Sequence, residues 1–220
     1  LSPLREPSVP YREVHVEGTG NVLREAEDSG VEDFVHLSAL GADTDRDTDY
    51  LKTKGEAQEM VEESGTAWRI FRPSVLFGEG GEFLDFLYRF STPLITLQPG
   101  RNTIFQPLYV GDLADMIAES LEERHSDQLF DVGGPEQIKL GEIVEAVRSS
   151  RDRTAKALEL PDPLFRTFMT LSERLPFTSM GMDQYRSLQT DNVADKNDAP
   201  ALGKPVDDMT RLREYLEVNS

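Results

Sequence analysis

Between Glu13 and Pro73 the chain twice runs from a helical pattern into a short apolar segment, with glycine at the turns. Glu13–Ser29 places Val14, Val22, Leu23 and Ala26 on a helical pattern that Gly30 stops. Asp33–Ala39 follows as a strand. Asp43–Asp49 is a polar loop, and Asp47 or Thr48 can cap the next helix, Tyr50–Ser64. Gly65 ends that helix, Ala67–Arg72 is the next strand, and Pro73 stops it. This order predicts βαβ units and a parallel sheet, in which function gathers at the carboxyl ends of the strands. Ser38 and the Arg72-Pro73-Ser74 turn stand at two such ends, and Tyr50 begins the helix between them.

Tyr50 and Lys54 are four residues apart, so a helix presents them on one face. A lysine ammonium beside a phenol favours the phenolate and lowers its pKa from about 10 toward neutrality. A phenol so tuned gives or takes a proton at working pH.

Further on, Glu82–Arg89 reads as a short helix and Thr103–Val110 as an extended stretch interrupted by Pro107. Asp112 is expected to cap a helix reaching about Arg124. Gln128–Val132 reads as a strand, Gly133-Gly134-Pro135 as a turn and Leu140–Ser149 as a helix. Pro163–Arg174 and Asp208–Val218 read as further helices, and residues 1–12, with three prolines, as a loop.

Composition excludes several classes. With 41 acidic and 23 basic residues among 220, the net charge is −18, which repels nucleic acid and anionic lipid. Only six of the basic residues are lysine, a balance that points to a salt-loving source. There, screening at molar salt cuts self-repulsion to a range of about 3 Å. No cysteine is present, so disulfides and thiolate metal sites are excluded. His15, His36 and His125 show no metal-ligand spacing and are expected to be structural, and no metal is expected. No apolar run approaches the ~18 residues of a membrane span. A cytoplasmic location, or a peripheral one at the inner face of the membrane, is expected.

Several motifs together resemble the extended and atypical short-chain dehydrogenase/reductase superfamily. Val16–Leu23 (VEGTGNVL) is similar to the helix before the family's fifth strand, and Phe34–Ser38 (FVHLS) to that strand. Tyr50 and Lys54 match its Tyr and Lys, Arg72-Pro73 with Phe77-Gly78 its nicotinamide-side turn, and Gln106–Val110 with Asp112 its entry to the substrate lobe. Phe77–Leu84 (FGEGGEFL), Met182-Asp183-Gln184 and Asp191-Asn192-Val193 further resemble the dehydrogenase-like accessory subunit of respiratory complex I and its prokaryotic relatives.

The resemblance implies an α/β fold: the C-terminal part of a Rossmann-type doubly wound parallel sheet (1–78) plus a small mixed α/β substrate lobe (79–220). It implies NADP or NAD as cofactor, contacted here on the nicotinamide side only, by Leu37, Ser38, Tyr50, Lys54, Arg72, Pro73, Ser74 and Val75. Catalytic roles would fall to Tyr50 as proton donor or acceptor, Lys54 beside it, and Ser38 on a substrate carbonyl. The function implied is a redox enzyme or a nucleotide-binding accessory protein of a respiratory complex, with a sugar-nucleotide epimerase or dehydratase as the alternative.

Three departures qualify this reading. The Gly-rich dinucleotide fingerprint is absent, since Gly18-Thr19-Gly20 follows no strand. Two to three further βα units of roughly 30 residues each would have to precede the chain, whose first residue is Leu1 rather than Met. A missing segment, or a second chain, is therefore expected at the sheet edge. His15 stands where many family members have Asn, and Ala39 where many have a second Ser, so a one-residue shift would move the catalytic position to Ala39.

Overall fold

The computed structural model describes residues 10–90, 100–150 and 186–219. The expected helix at Pro163–Arg174 lies outside them. At the centre is a parallel sheet of three strands in the order β1 (Asp33–Leu37), β2 (Ala67–Pro73), β6 (Gln128–Val132). Phe34 pairs with Trp68 and Leu37 with Phe71, while Phe71 pairs with Phe130 and Pro73 with Val132. The expected parallel pairing of the first two strands is therefore present. Pro73 joins the strand rather than lying beyond it, at the last position before the turn.

Alternation along the strands feeds two apolar layers, one on each face, as a doubly wound sheet requires. On one face, Leu23 of α1 (Gly18–Asp28) and Val61 of α2 (Asp49–Glu62) pack with Ile70, Phe34 and Trp68. On the other, Leu113 and Met116 of α4 (Val110–Glu119) pack with Phe71, Phe130 and Leu108, joined by Ala199 and Leu202 from a late 3-10 turn. A third cluster lies beyond the sheet. There α3 (Glu82–Phe90), α5 (Leu140–Ser149) and α6 (Leu212–Val218) enclose Phe77, Phe83, Phe105, Ile143 and Leu212.

The stretch around Gln106-Pro107 forms two short strands that diverge. β4 (Ile104–Phe105) pairs antiparallel with β7 (Ile138–Lys139), and β5 (Leu108–Tyr109) pairs parallel with β3 (Leu76–Phe77). Proline has no N–H for a ladder, so the chain changes partner at Pro107.

Three expectations are corrected. Asp112 does not cap α4: it lies in the first turn, accepts from Thr210 N at 2.7 Å and pairs with Lys204 at 2.8 Å. It thereby ties the chain ahead of α6 to α4. α4 stops at Glu119, not Arg124, because the buried Arg69 guanidinium takes the carbonyls of Ser120 and Glu122. The terminal helix begins at Leu212, since Val206–Asp208 is a separate 3-10 turn. At the other end, a π-helical turn, Glu13–Glu17, leads into α1.

Candidate functional site

Parallel strands end where their crossover helices begin, and this geometry assembles the site. Thr48, not Asp47, caps α2, its hydroxyl accepting from Leu51 N at 3.4 Å. This starts the helix beside the end of β1, with Tyr50 and Lys54 one turn apart. Gly55 lets α2 approach the loop after β1, because a Cβ there would lie 2.6 Å from the Asp43 backbone. Beyond the strand ladder, Ser38 N donates to Phe71 O at 2.8 Å and Leu40 N to Pro73 O at 3.1 Å, joining the two strand ends.

The result is a cleft of about 1090 Å³ whose walls include all eight expected site residues: Leu37, Ser38, Tyr50, Lys54, Arg72, Pro73, Ser74 and Val75. Glu82 of α3 and Asn192 of the C-terminal segment contribute to the walls as well.

The eight differ in what their polar groups do. Lys54 Nζ donates to Leu37 O at 2.8 Å, which leaves two of its three donors without a protein acceptor among the described residues. The Ser38 hydroxyl is buried and has no partner among them. Arg72 makes a bidentate pair with Asp131 across the β2–β6 ladder, at 2.6 and 2.8 Å. Its guanidinium serves the protein. The Ser74 hydroxyl donates to Gln106 O. Val75 N donates to Asn192 Oδ1 at 2.7 Å, and Val75 O accepts from Leu108 N at 2.9 Å.

The expected activation of Tyr50 is corrected. Burial, then the neighbouring Tyr11 and Glu82, push the Tyr50 phenol well above its ordinary pKa of 10, so it is neutral at working pH. Desolvation, which disfavours the charged phenolate, is the largest of these influences. Burial also lowers Lys54 itself to about 8.

His15 packs edge-on against the Tyr50 ring at 5.4 Å, as Tyr11 does at 5.6 Å. Its Nδ1 lies 2.9 Å from Thr53 Oγ1, which donates its own proton to Asp49 O at 2.6 Å. The imidazole must therefore donate from Nδ1. Burial and Lys54 hold His15 down to about 3, and burial with Lys54 holds His36 down to about 4. Both are neutral.

Sequence reasoning did not single out Gln106 or place Asn192 and Asp131 at the site. Gln106 is buried; its side chain donates to Gly134 O at 2.8 Å and accepts from Ala194 N at 3.1 Å. Asn192 and Gln106 lay within motifs of the resemblance, but nothing local indicates which distant backbone an amide will meet.

A parallel sheet covered on both faces, with a Tyr/Lys helix and a Pro turn at its carboxyl end, is a Rossmann-type α/β fold like that of short-chain dehydrogenase/reductase proteins. In sequence the chain is related to the alpha subcomplex subunit 9 of mitochondrial NADH dehydrogenase [ubiquinone]. It is 26% identical to the Arabidopsis thaliana subunit over 186 residues, covering 78% of this chain and 46% of that protein. Among solved structures, the Escherichia coli NADPH-dependent quinone oxidoreductase complexed with NADPH superposes with a TM-score of 0.72 at 17% identity. That match covers 98% of this chain and 74% of the other. A nucleoside-diphosphate-sugar epimerase from Staphylococcus aureus gives 0.71 at 13% identity, covering 97% and 74%. The chain thus spans about half the length of the curated relatives it matches. No family model matches it.

Proposed function

We propose that the cleft takes the nicotinamide half of NADP(H) or NAD(H), and that the chain is the nicotinamide-side part of a short-chain-dehydrogenase-like protein. The observation that carries this is the convergence of Ser38, Tyr50, Lys54 and the Pro73 turn on one cleft, with the Ser38 hydroxyl buried and unpartnered. A buried hydroxyl without a partner costs free energy, so it marks a surface that a ligand completes. The free donors of Lys54 fit sugar hydroxyls, and the cleft volume accommodates a nicotinamide riboside and a small substrate. Bound dinucleotide supplies hydride chemistry. Within that setting Tyr50, held neutral, is a proton donor, and Ser38 orients a carbonyl oxygen.

The relatedness to a subunit of NADH dehydrogenase supports an accessory role in a respiratory complex, at the membrane periphery, beside the enzymatic one. Among the described residues no helix is long and apolar enough to cross a membrane. The division at residue 78 fits this reading, with β6 returning from the second lobe to the first sheet. Similarity to the sugar epimerase supports a sugar-nucleotide epimerase or dehydratase as the alternative.

Within the described residues, the outer edge of β1 has no ladder partner, and Val14, Val22, Val31 and Leu37 are exposed. Upstream chain, or a second protein, is inferred to cover that edge and to supply the pyrophosphate site. Fluorescence titration with NADH and NADPH tests both points. The 220-residue chain is expected to bind at least about tenfold more weakly than a form extended upstream. Absence of binding by both forms overturns the proposal.

A further inference from the structure

The segment around Asn192 reaches the cleft from more than a hundred residues away in sequence and meets three backbones there. Asn192 N donates to Ile104 O at 2.8 Å, and Asn192 O accepts from Gln106 N at 3.0 Å. This makes a one-residue parallel bridge beside Phe105. Asp191 Oδ1 accepts from Ile104 N at 2.8 Å. The Asn192 side chain turns the other way and accepts the Val75 N–H at 2.7 Å. One residue thus holds β4 with its backbone and the cleft turn with its amide.

We propose that Asn192 is a positioning residue that locks the Ser74–Val75 backbone and thereby fixes the part of the cleft wall that this turn forms. The Val75 N–H sits in partly buried backbone, where an amide without an acceptor is unfavourable. Removing the acceptor lets the turn rotate toward another partner. The same turn holds Leu40 N through Pro73 O, and the β2 strand just before it holds Ser38 N through Phe71 O. Displacement of the turn is therefore transmitted to the loop that carries Ser38. The C-terminal segment acts as a clasp between the second lobe and the first sheet, and the shape of the cleft depends on it. The importance of this for ligand binding rests on the reading of the cleft as the nucleotide site.

Two substitutions separate the clasp from mere packing. Asn192→Leu has similar bulk and no acceptor, whereas Asn192→Asp keeps a side-chain oxygen for Val75 N–H. Residue-resolved amide exchange by NMR is expected to show Val75 exchanging about tenfold faster in Asn192→Leu, the change that loss of about 1.4 kcal/mol produces. Asn192→Asp is expected to restore protection. Ser38 and Leu40 amide shifts should move in Asn192→Leu and return in Asn192→Asp. In a form that binds NADPH, affinity should fall and recover in parallel. Unchanged Val75 exchange in Asn192→Leu overturns the proposal. So does faster Val75 exchange with Ser38 and Leu40 unmoved. If Asn192→Leu does not fold, the wild-type Val75 amide decides, since rapid exchange there contradicts the clasp. A wild type that fails to bind NADPH but shows the expected exchange pattern counts against the nucleotide reading alone.

Discussion

Two serines at two neighbouring strand ends have opposite fates. Ser38, just past β1, is buried with its hydroxyl unpartnered among the described residues. Ser74, just past β2, is equally buried, and its hydroxyl donates to Gln106 O. The difference extends around them. On the Ser38 side stand a lysine with two donors unbonded among the described residues and a phenol held neutral. On the Ser74 side, Gln106, Asn192, Asn197 and Asp198 satisfy one backbone group after another. Asn197 both donates to and accepts from Gly133, and Asp198 does the same with Asp131. Polar groups bonded within the protein hold the wall, and those without a partner among the described residues stand on the Ser38 side. Arg72 and the Val75 amide line the cleft with their hydrogen bonds made within the protein.

The strongest way to break this comparison is to disturb the bonded side. Gly134 lies so close to the chain between β4 and β5 that a Cβ would sit 1.6 Å from Pro107 O. Gly134→Ala is expected to cost about 3 kcal/mol or more, because backbone must move on both sides. Denaturant unfolding measures it, and a loss below about 1 kcal/mol shows that the wall is pliable.

Next come the serines themselves. Ser74→Ala should cost about 1–2 kcal/mol through the lost hydrogen bond, whereas Ser38→Ala should leave stability within about 0.5 kcal/mol or raise it slightly. Equal losses in the two variants would erase the distinction.

The pH dependence sharpens it further. The Lys54 pKa is lowered from 10.5 to about 8 in the fold, so between those values the unfolded chain binds more protons. Stability is therefore expected to rise with pH across that window. Lys54→Met should flatten that rise in melts from pH 7 to 11. His15 behaves likewise at lower pH: held at about 3 against 6.5 unfolded, it should make stability decline as pH drops from 6.5 toward 3.

The smallest effect concerns the surface. With a net charge of −18, screening by molar KCl should raise the melting temperature by a few degrees, roughly 1 kcal/mol. An unchanged or lower value argues against a salt-loving source.

Much of the fold was legible because parallel βα units write themselves locally. The apolar runs of β1, β2 and β6, the glycine stops and the Thr48 cap lie within a few residues of what they determine. The lining of the cleft was legible where it depended on spacing, as with Tyr50 and Lys54, or on a strand end, as with Ser38. It was not legible where burial decides. The Tyr50 phenol responds to its depth and to Tyr11 and Glu82, none of which spacing reveals. Nor did sequence show that Asp112 would serve Thr210 and Lys204, or that Asn192 would meet Val75. Those contacts join residues about 90 to 120 positions apart and exist only once distant parts of the chain are packed together.

Whether the open side of the cleft receives the nicotinamide half of a dinucleotide, as proposed, is decided by titrating NADPH and NADH into the isotopically labelled 220-residue chain and following amide and side-chain resonances. The largest shifts are expected at Leu37, Ser38, Ala39, Tyr50 and Lys54, and small shifts at Gln106 and Asn192. No perturbation of Ser38, Tyr50 and Lys54 at millimolar ligand, or shifts centred on the Gln106 and Asn192 side, would contradict it.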